Sequence, residues 1–177
     1  EKGFSHLIPA AQEYGIAAMA VHNSYNAATL GYHTGFVAQQ GLVAFGFTNS
    51  TPAIAPVGGS KPVIGTNPMS FAVPGRKGRI AFVIDQSSSQ VAWTAVKRAA
   101  EEHQAIPLGW AIDRQGQPTT DAEEGLRGSM APAGGYKGFG MGLIVETMCA
   151  AVAGANRGQE MGSMMESDGL PVGNGQF

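Results

Sequence analysis

Apolar and polar positions change period along the first part of the chain, and these changes predict alternating helices and strands. A helical pattern ends at Tyr14, where Gly15 supplies a left-handed cap. Residues 16–22 are apolar up to a final histidine, which predicts a strand that is buried on both faces. A helix over residues 27–40 and a strand over 42–48 follow, and this order predicts a crossover unit.

The middle of the chain predicts a hairpin. Strands over residues 69–73 and 79–84 flank the turn-forming sequence Pro-Gly-Arg-Lys-Gly at 74–78. Two strands joined so closely pair antiparallel, so a purely parallel sheet is disfavoured. The expected fold class is α/β in the broad α+β sense, with a mixed sheet and packed helices.

The second half of the chain is predicted to be mainly helical. Helices are expected over residues 90–102 and 136–153, with a short strand over 108–113 and a turn at 114–117 between them. Asp121 is placed to cap a short helix that runs to Leu126. The 136–153 helix is apolar on all sides, so we expect it inside the protein.

Gly, Ser and Met dominate from Gly154 onward. We therefore expect an α/β domain over 1–153 and a mobile loop over 154–177. The chain starts without Met and stops where a new strand is due, so we expect it to be a fragment of a longer protein.

Composition narrows the class of protein. Apolar residues make up 44% of the chain and charged residues only 14%, so we expect part of the surface, including Met161–Met165, to be covered by another chain or domain. A net charge of −2 argues against nucleic-acid binding. The single Cys149 cannot form an internal disulfide, which favours a cytoplasmic setting. No apolar run approaches the roughly 18 residues of a membrane span, so we expect a soluble protein.

Polar side chains cluster at three predicted strand ends. Asn23-Ser24-Tyr25-Asn26 precedes a helix, whose free N–H groups suit an anion such as a pyrophosphate, although the cluster could simply cap that helix. Thr48-Asn49-Ser50 could bind ribose or phosphate, or could form a turn. Asp85 could hold ribose hydroxyls, or could cap the helix that follows it.

Two glycine-rich segments each carry a lysine. Gly58-Gly59-Ser60-Lys61 and Gly134-Gly135-Tyr136-Lys137 offer point charges suited to phosphate or carboxylate. Neither has P-loop spacing, and no Gly-x-Gly-x-x-Gly follows the first strand, which disfavours a Rossmann domain. The four His and one Cys show no zinc-ligand spacing, so no metal site is expected. Cys149 lacks the setting of a nucleophile, and His22 and His33 are either general acids or structural.

Taken together, these motifs resemble the malate/L-lactate dehydrogenase family, which includes ureidoglycolate and sulfolactate dehydrogenases and cyclic-imine (piperideine-2-carboxylate) reductases. The resemblance spans nearly the whole chain and rests on motifs that occur in this order: Asn23-Ser24-Tyr25-Asn26, Thr48-Asn49-Ser50, Gly58-Gly59, Gly65-Thr66-Asn67-Pro68, Ile84-Asp85, Pro107-Leu-Gly-Trp-Ala-Ile-Asp113 and Gly134-Gly135-Tyr136-Lys137-Gly138. It implies a non-Rossmann NAD- or NADP-binding domain with a mixed, largely antiparallel sheet. It also implies a homodimer whose substrate pockets are shared between domains and subunits. Family members are longer, with an N-terminal helical segment that supplies catalytic and substrate-binding residues, so this chain resembles their cofactor-binding domain.

The resemblance implies roles for individual residues. Cofactor contacts are implied for Asn26, Ala27, Ala28, Thr29, Leu30, Ser50, Ile84, Asp85, Gln86 and Lys137. Thr66 is implied to touch the substrate. Many members carry a proton-transferring His where this chain has Asn26. Because Asn cannot titrate, the proton would come from His22 or from the N-terminal segment, or this branch uses another chemistry.

The function implied is an NAD(P)-dependent oxidoreductase that transfers a hydride between nicotinamide and a small 2-hydroxy or 2-oxo acid of malate or lactate type. One alternative is a cyclic imino-acid reductase acting on pyrroline- or piperideine-2-carboxylate. Another is a non-catalytic ligand-binding or assembly domain of the same fold, which Asn at position 26 favours. The expected partner is the small acid or imine, with no nucleic acid and no membrane. Asp85 favours NAD over NADP only slightly.

Overall fold

A computed structural model describes residues 2–163 and 169–177 of the chain. Its helices are Phe4–Tyr14 (α1), Leu30–Gln39 (α2), Trp93–Glu101 (α3), Ala122–Arg127 (α4) and Tyr136–Glu146 (α5). Its strands are Val21–Ser24 (β1), Ala44–Phe47 (β2), Met69–Pro74 (β3), Ile80–Gln86 (β4), Ala111–Ile112 (β5), Pro118–Thr119 (β6), Ser129–Met130 (β7) and Asn174–Gln176 (β8). As predicted, α1 ends at Gly15, which has φ 82° and closes the helix on the Ala11 carbonyl.

The central sheet consists of β2, β3 and β4, in that order, and both strand pairs are antiparallel. Ala44 lies opposite Ala72, which lies opposite Val83, so small and branched residues line up on one face. α2 packs on this face. A Cβ at Gly46 would lie 3.0 Å from Thr34 Cγ2, so the glycine lets the helix approach the sheet closely. The predicted hairpin and the largely antiparallel sheet are both confirmed.

The other face of this sheet carries a row of aromatic rings. The ring centroids of Phe45 and Phe71 are 4.6 Å apart, and those of Phe71 and Phe82 are 5.8 Å apart. Phe45 is 59% exposed and Phe82 is 48% exposed. In the part of the chain that the structure describes, this face is therefore open to solvent.

A second core lies between α3, α4 and the small antiparallel sheet β6-β5-β7. Its fully buried side chains include Ile54, Val96 and Met130. Asp121 caps α4 as predicted, because its carboxylate accepts hydrogen bonds from the Glu123 and Glu124 N–H groups. The predicted turn after β5 is also present, closed by the Asp113 carboxylate.

The first predicted strand is wrong in extent, burial and partner. β1 covers only Val21–Ser24, and Ile16 is 82% exposed. β1 pairs with β8 instead of joining β2 in one sheet, so the predicted crossover unit does not form. The partner is only three residues long, Asn174–Gln176. β8 therefore pairs only with the end of the apolar run, and residues 16–20 form no strand hydrogen bonds with it.

The helix predicted over 136–153 forms as α5 and continues in π-type turns over Thr147–Val152. Its buried side consists of Gly138, Gly142 and Val145. Leu143 and Ile144 are 44% and 53% exposed, so the prediction of an enclosed helix is wrong for the described residues. Its apolar outer side has no covering element among them.

The end of the chain is more ordered than the predicted loop. Gln176 forms a bridge to Thr48, so β8 lies between β1 and the end of β2. A Cβ at Gly175 would lie 2.7 Å from the Cys149 carbonyl, and this close approach requires glycine. The division of the chain after residue 153 stays a prediction, and residues 164–168, with Met164 and Met165, lie outside the described part. Within that part, no helix has the length and apolar character to cross a membrane.

Candidate cofactor-binding site

The corner that contains Asn26 is a turn ahead of α2. Asn26 Oδ1 accepts a hydrogen bond of 2.6 Å from the Ala28 N–H, which is an Asx turn. Ala28 has φ 52°, and the cap residue of α2 is Thr29, which makes no side-chain bond. The prediction that the Asn23–Asn26 cluster caps the helix is therefore wrong, because the left-handed residue delays the helix to Leu30.

The five consecutive residues implied to line the cofactor differ in exposure. The side chains of Ala27 and Leu30 are only 7% and 5% exposed, because they pack into the core. Asn26, Ala28 and Thr29 are exposed. A ligand at this corner could meet the two buried residues only through their backbone.

The two candidate histidines have different surroundings. His22 is exposed on β1, directly before Asn23, which has φ 56°. His33 Nε2 lies 2.9 Å from the Ala27 carbonyl oxygen, and its ring stacks on Phe4. The contacts of His33 favour the structural interpretation, whereas the exposed ring of His22 remains available to a reacting group.

Asp85 caps a helix, but not the predicted one. Its Oδ2 accepts a hydrogen bond of 2.6 Å from the Gly31 N–H, in the first turn of α2. The helix that follows Asp85 is α3, whose cap residue is Ala92. The alternative that Asp85 caps the following helix is therefore wrong. One engaged oxygen leaves the other available to a ribose hydroxyl, and the neighbouring Ile84 and Gln86 are exposed along β4, the edge strand.

Ser50 lies directly against the Gly-Thr-Asn-Pro segment. Its N–H donates to Asn67 Oδ1 at 3.1 Å. A Cβ at Gly65 would overlap Ser50 Oγ and the Ser50 carbonyl, so only glycine fits there. The Thr66 carbonyl accepts a hydrogen bond of 2.7 Å from the Ser88 N–H. This segment thus joins the ends of β2 and β4.

The two glycine-lysine segments occupy different corners. Gly134 and Gly135 have φ 61° and 66°, and α5 begins immediately after them. Lys137 is exposed in the first turn of α5, where the amide groups lack helical acceptors and the helix dipole favours an anion. Lys61 lies in the loop between the bridged residues 54 and 64, and a Cβ at Gly116 would lie 3.3 Å from the neighbouring Ser60 Cβ. That loop therefore packs on the turn after β5.

A chain of contacts joins the other predicted corners. A Cβ at Gly138 would lie 2.8 Å from the Ser88 carbonyl oxygen, so the start of α5 packs on the residues that follow β4. The bond from Gly31 to Asp85 joins the start of α2 to the same strand, and Ser50 is held through Asn67. These contacts make neighbours of four predicted corners: Asn26–Leu30, Ser50, Ile84–Gln86 and Lys137. Lys61 has no contact of this kind with them among the described residues.

Sequence reasoning missed the residues that hold these corners together, namely Asn67, Ser88 and Glu146. Asn67 is fully buried and has φ 37°. Glu146 accepts hydrogen bonds from the Asn67 side chain and from the Gly158 N–H. The only signal in the sequence is an Asn before a Pro in a glycine-rich segment, which favours a special backbone conformation. It does not reveal the partners.

The side chains and backbone groups of these neighbouring corners suit a dinucleotide. The first turn of α5, with Lys137, can bind phosphate through amide groups and one cation. The carboxylate of Asp85, on the exposed strand β4, can accept hydrogen bonds from ribose hydroxyls. A partly open cavity of about 460 Å³ adjoins the Asn23–Tyr25 corner and is also lined by residues 170–173. Its volume would hold a small organic ligand.

Cys149 is unsuited to chemistry. It is fully buried, and this burial raises the pKa of its thiol to about 12. The thiol is therefore protonated at neutral pH, in agreement with the sequence interpretation. In the part of the chain that the structure describes, no group of three or more His, Cys, Asp and Glu side chains could hold a metal ion.

The chain matches known proteins over nearly its whole length. The family profile described as malate/L-lactate dehydrogenase matches residues 1–177. The chain is similar to (2R)-3-sulfolactate dehydrogenase (NADP(+)) of Chromohalobacter salexigens, with 41% identity over 95% of this chain and 50% of that protein. It is also similar to Delta(1)-pyrroline-2-carboxylate reductase 1 of Burkholderia ambifaria, with 37% identity over 100% of this chain and 52% of that protein.

A solved structure shows the same fold. The crystal structure of delta1-piperideine-2-carboxylate reductase from Pseudomonas syringae pvar. tomato matches with a TM-score of 0.89 and 32% identity. The match covers 99% of this chain and 53% of that one. The chain thus spans about half the length of the curated relatives it matches.

Proposed function

We propose that this chain, which belongs to the malate/L-lactate dehydrogenase family, provides the NAD(P)-binding domain of an oxidoreductase that acts on a small 2-hydroxy or 2-oxo acid. The observation that carries the proposal is that Lys137, Asp85 and Ser50 lie near the same end of the central sheet, where β2 and β4 both finish. Contacts through Ser88, Gly31 and Asn67 join their segments. A relative named as an NADP(+)-dependent sulfolactate dehydrogenase supports it.

Within this proposal, the bound nicotinamide supplies or receives the hydride at the substrate carbon. The start of α5 and Lys137 bind a cofactor phosphate, and Asp85 with Ile84 and Gln86 contacts a ribose. Thr66 lies on the same segment as Asn67 and contacts the substrate. Asn26 orients a carbonyl or an amide group by hydrogen bonding, because its side chain cannot release a proton at neutral pH.

A second candidate function has specific support. Curated relatives of 37% and 35% identity are named Delta(1)-pyrroline-2-carboxylate reductases, and the solved structure with a TM-score of 0.89 is a piperideine-2-carboxylate reductase. Reduction of a cyclic imine delivers a hydride to carbon and requires a proton on nitrogen. The same cofactor site would therefore serve the reduction of a 2-oxo acid and of an imine. The third possibility, a non-catalytic domain, rests on Asn26 alone.

The deciding experiment uses the protein expressed from its full-length gene. Binding of NADH and NADPH is measured by fluorescence titration, and turnover is then measured with pyruvate, oxaloacetate, sulfopyruvate and the two cyclic imines. Turnover of an oxoacid supports the first function, and turnover of the imines alone supports the second. Absence of cofactor binding would refute both.

The proton donor is tested separately. The pH profile of kcat/KM is compared for wild type, His22→Gln and Asn26→His. We expect Asn26→His to add an ionisation to the profile if position 26 faces the substrate. An unchanged profile in His22→Gln would show that the proton comes from another residue.

We further propose that the protein is a cytoplasmic homodimer. The exposed aromatic face around Phe45 and the exposed Leu143 and Ile144 on α5 support association, because apolar surface of this extent is unfavourable in water. The single Cys149 is consistent with a reducing compartment. A monomer mass in light scattering would contradict the homodimer. Cell fractionation that finds the protein outside the cytoplasm would contradict the proposed location.

A further inference from the structure

Asn67 combines features that rarely occur together in one residue. It is fully buried, at 0% exposure, and its φ of 37° lies in the left-handed region. A buried amide side chain must be hydrogen-bonded to avoid the cost of desolvation. The partners of this one show what the residue does.

The side chain of Asn67 joins two separate parts of the fold. Its Oδ1 accepts a hydrogen bond of 3.1 Å from the Ser50 N–H, at the end of β2. Its Nδ2 donates to the Gly142 carbonyl at 3.0 Å and to Glu146 Oε2 at 2.7 Å, both on α5. The same side chain therefore fixes the distance between the Ser50 corner and the helix that presents Lys137.

The backbone of Asn67 reaches a third part. Its carbonyl accepts a hydrogen bond of 2.9 Å from Ser88 Oγ, just beyond β4. Glu146, the partner of Asn67 on α5, uses its other oxygen to accept the Gly158 N–H at 2.6 Å. One buried residue thus links the ends of two strands and α5.

Asparagine is required here for a chemical reason. The site needs one acceptor for the Ser50 N–H and two donors, one for the Gly142 carbonyl and one for Glu146, and a carboxamide offers all three. Aspartate has the same shape but no donor when ionised, and it would bring a second carboxylate against Glu146. Glycine would accept the left-handed backbone but would remove every side-chain bond.

We propose that Asn67 is the positioning residue of the cofactor site, which sets the spacing of Ser50, the residues beyond β4 and α5 without touching the cofactor. The inference rests on the proposed function, because it is the affinity for NAD(P)H that the spacing controls. Loss of the amide should leave the corners formed but shift them relative to one another. The fall in cofactor affinity should therefore be larger than the loss of folding stability alone would cause.

The test uses the full-length protein at a single pH near 8. Asn67→Asp is expected to raise the Kd for NAD(P)H by about tenfold, because two carboxylates in hydrogen-bond contact repel each other. Adding Glu146→Gln to Asn67→Asp should recover most of this loss, since the glutamine amide can donate to the aspartate. Asn67→Gly should also weaken binding, because it keeps the backbone conformation and removes only the bonds.

Ser129→Ala is the matched control. Ser129 is also buried, and its hydroxyl accepts a hydrogen bond of 2.7 Å from the Ala55 N–H. It lies on β7, in the small β6-β5-β7 sheet and not in the central sheet that carries the candidate cofactor site. This variant should lower the melting temperature and leave the Kd unchanged. If Asn67→Asp does not fold, the single variant Glu146→Gln carries the test. Residue 146 accepts hydrogen bonds from Asn67 and from the Gly158 N–H, and the glutamine amide keeps only one of them. This loss should raise the Kd by about threefold.

The outcomes separate this inference from the proposed function. If the wild type binds neither NADH nor NADPH, the proposed function fails and the inference fails with it. If the wild type binds but the Asn67 and Glu146 variants change only the melting temperature, as Ser129→Ala does, Asn67 is structural and the inference alone is overturned. Recovery of the Kd in the double variant supports it.

Discussion

The hydrogen bond between Asp85 and Gly31 gives the most discriminating prediction about the candidate site. Asp85 was expected either to bind ribose or to cap the next helix. It caps α2 rather than that helix, and its role in ribose binding stays a prediction. The bond length is 2.6 Å, the donor lies in the first turn of a helix, and the acceptor is charged. We therefore expect the substitution Asp85→Ala to affect both the local stability of α2 and the affinity for the cofactor.

The size of the local effect follows from the geometry. A hydrogen bond to a charged group contributes about 1.5–3 kcal/mol, and a carboxylate at a helix N-terminus contributes about 0.3–1 kcal/mol through the dipole. Because Asp85 is exposed, solvent screening places the expected loss near the lower end, at about 1–2 kcal/mol. A loss of this size would accelerate hydrogen exchange at the Gly31 amide by about 5–30-fold.

The assay is hydrogen exchange resolved to the first turn of α2, combined with titration of NADH and NADPH. Asp85→Asn is the control, because its amide oxygen can still accept from Gly31 while the charge is lost. It should retain most of the protection of α2 and still weaken the cofactor, since a carboxylate binds ribose hydroxyls more strongly than an amide.

Two results would refute parts of this reasoning. Unchanged exchange at Gly31 in Asp85→Ala would mean that the bond contributes nothing to α2. Unchanged cofactor affinity in both variants would leave Asp85 a helix cap alone and would remove it from the proposed site.

The remaining predictions concern single positions. Lys137→Ala should weaken cofactor binding by about 1–3 kcal/mol, measured as the Kd in a fluorescence titration. Lys61→Ala, in the other glycine-lysine segment, should leave the Kd unchanged. Equal effects of the two substitutions would mean that the two segments share a site. Gly65→Ala should destabilise the fold by about 1–3 kcal/mol in urea unfolding, because its Cβ has no room, while Gly140→Ala, with no atom within 4 Å of its Cβ, should stabilise by about 0.5–1 kcal/mol. Burial raises the pKa of Cys149 from 9.0 to about 12, so between these values the unfolded state loses a proton that the folded state keeps. The free energy of unfolding should therefore fall as pH rises through that range, by at most ~1.4 kcal/mol per pH unit, and Cys149→Ala should flatten this dependence in urea titrations at alkaline pH; an unaltered slope would contradict the burial argument.

The sequence by itself determined the local elements of this protein. The hairpin of β3 and β4 follows from two strand-forming runs that flank a Pro-Gly-Arg-Lys-Gly turn, and the start of α4 follows from Asp121. Both signals act between residues close in the chain. The motifs also identified the family through their order and spacing, which the family profile confirms over residues 1–177. The roles implied for individual site residues stay predictions.

The tertiary structure decided which distant segments meet. β1 pairs with a strand from the far end of the chain, Asp85 binds an amide 54 residues away, and Asn67 binds a glutamate 79 residues away. Periodicity and capping signals describe the conformation of a segment, but they carry no information about its partner. That choice depends on how small residues such as Gly46 and Gly138 allow elements to approach, and on which buried polar groups then satisfy one another.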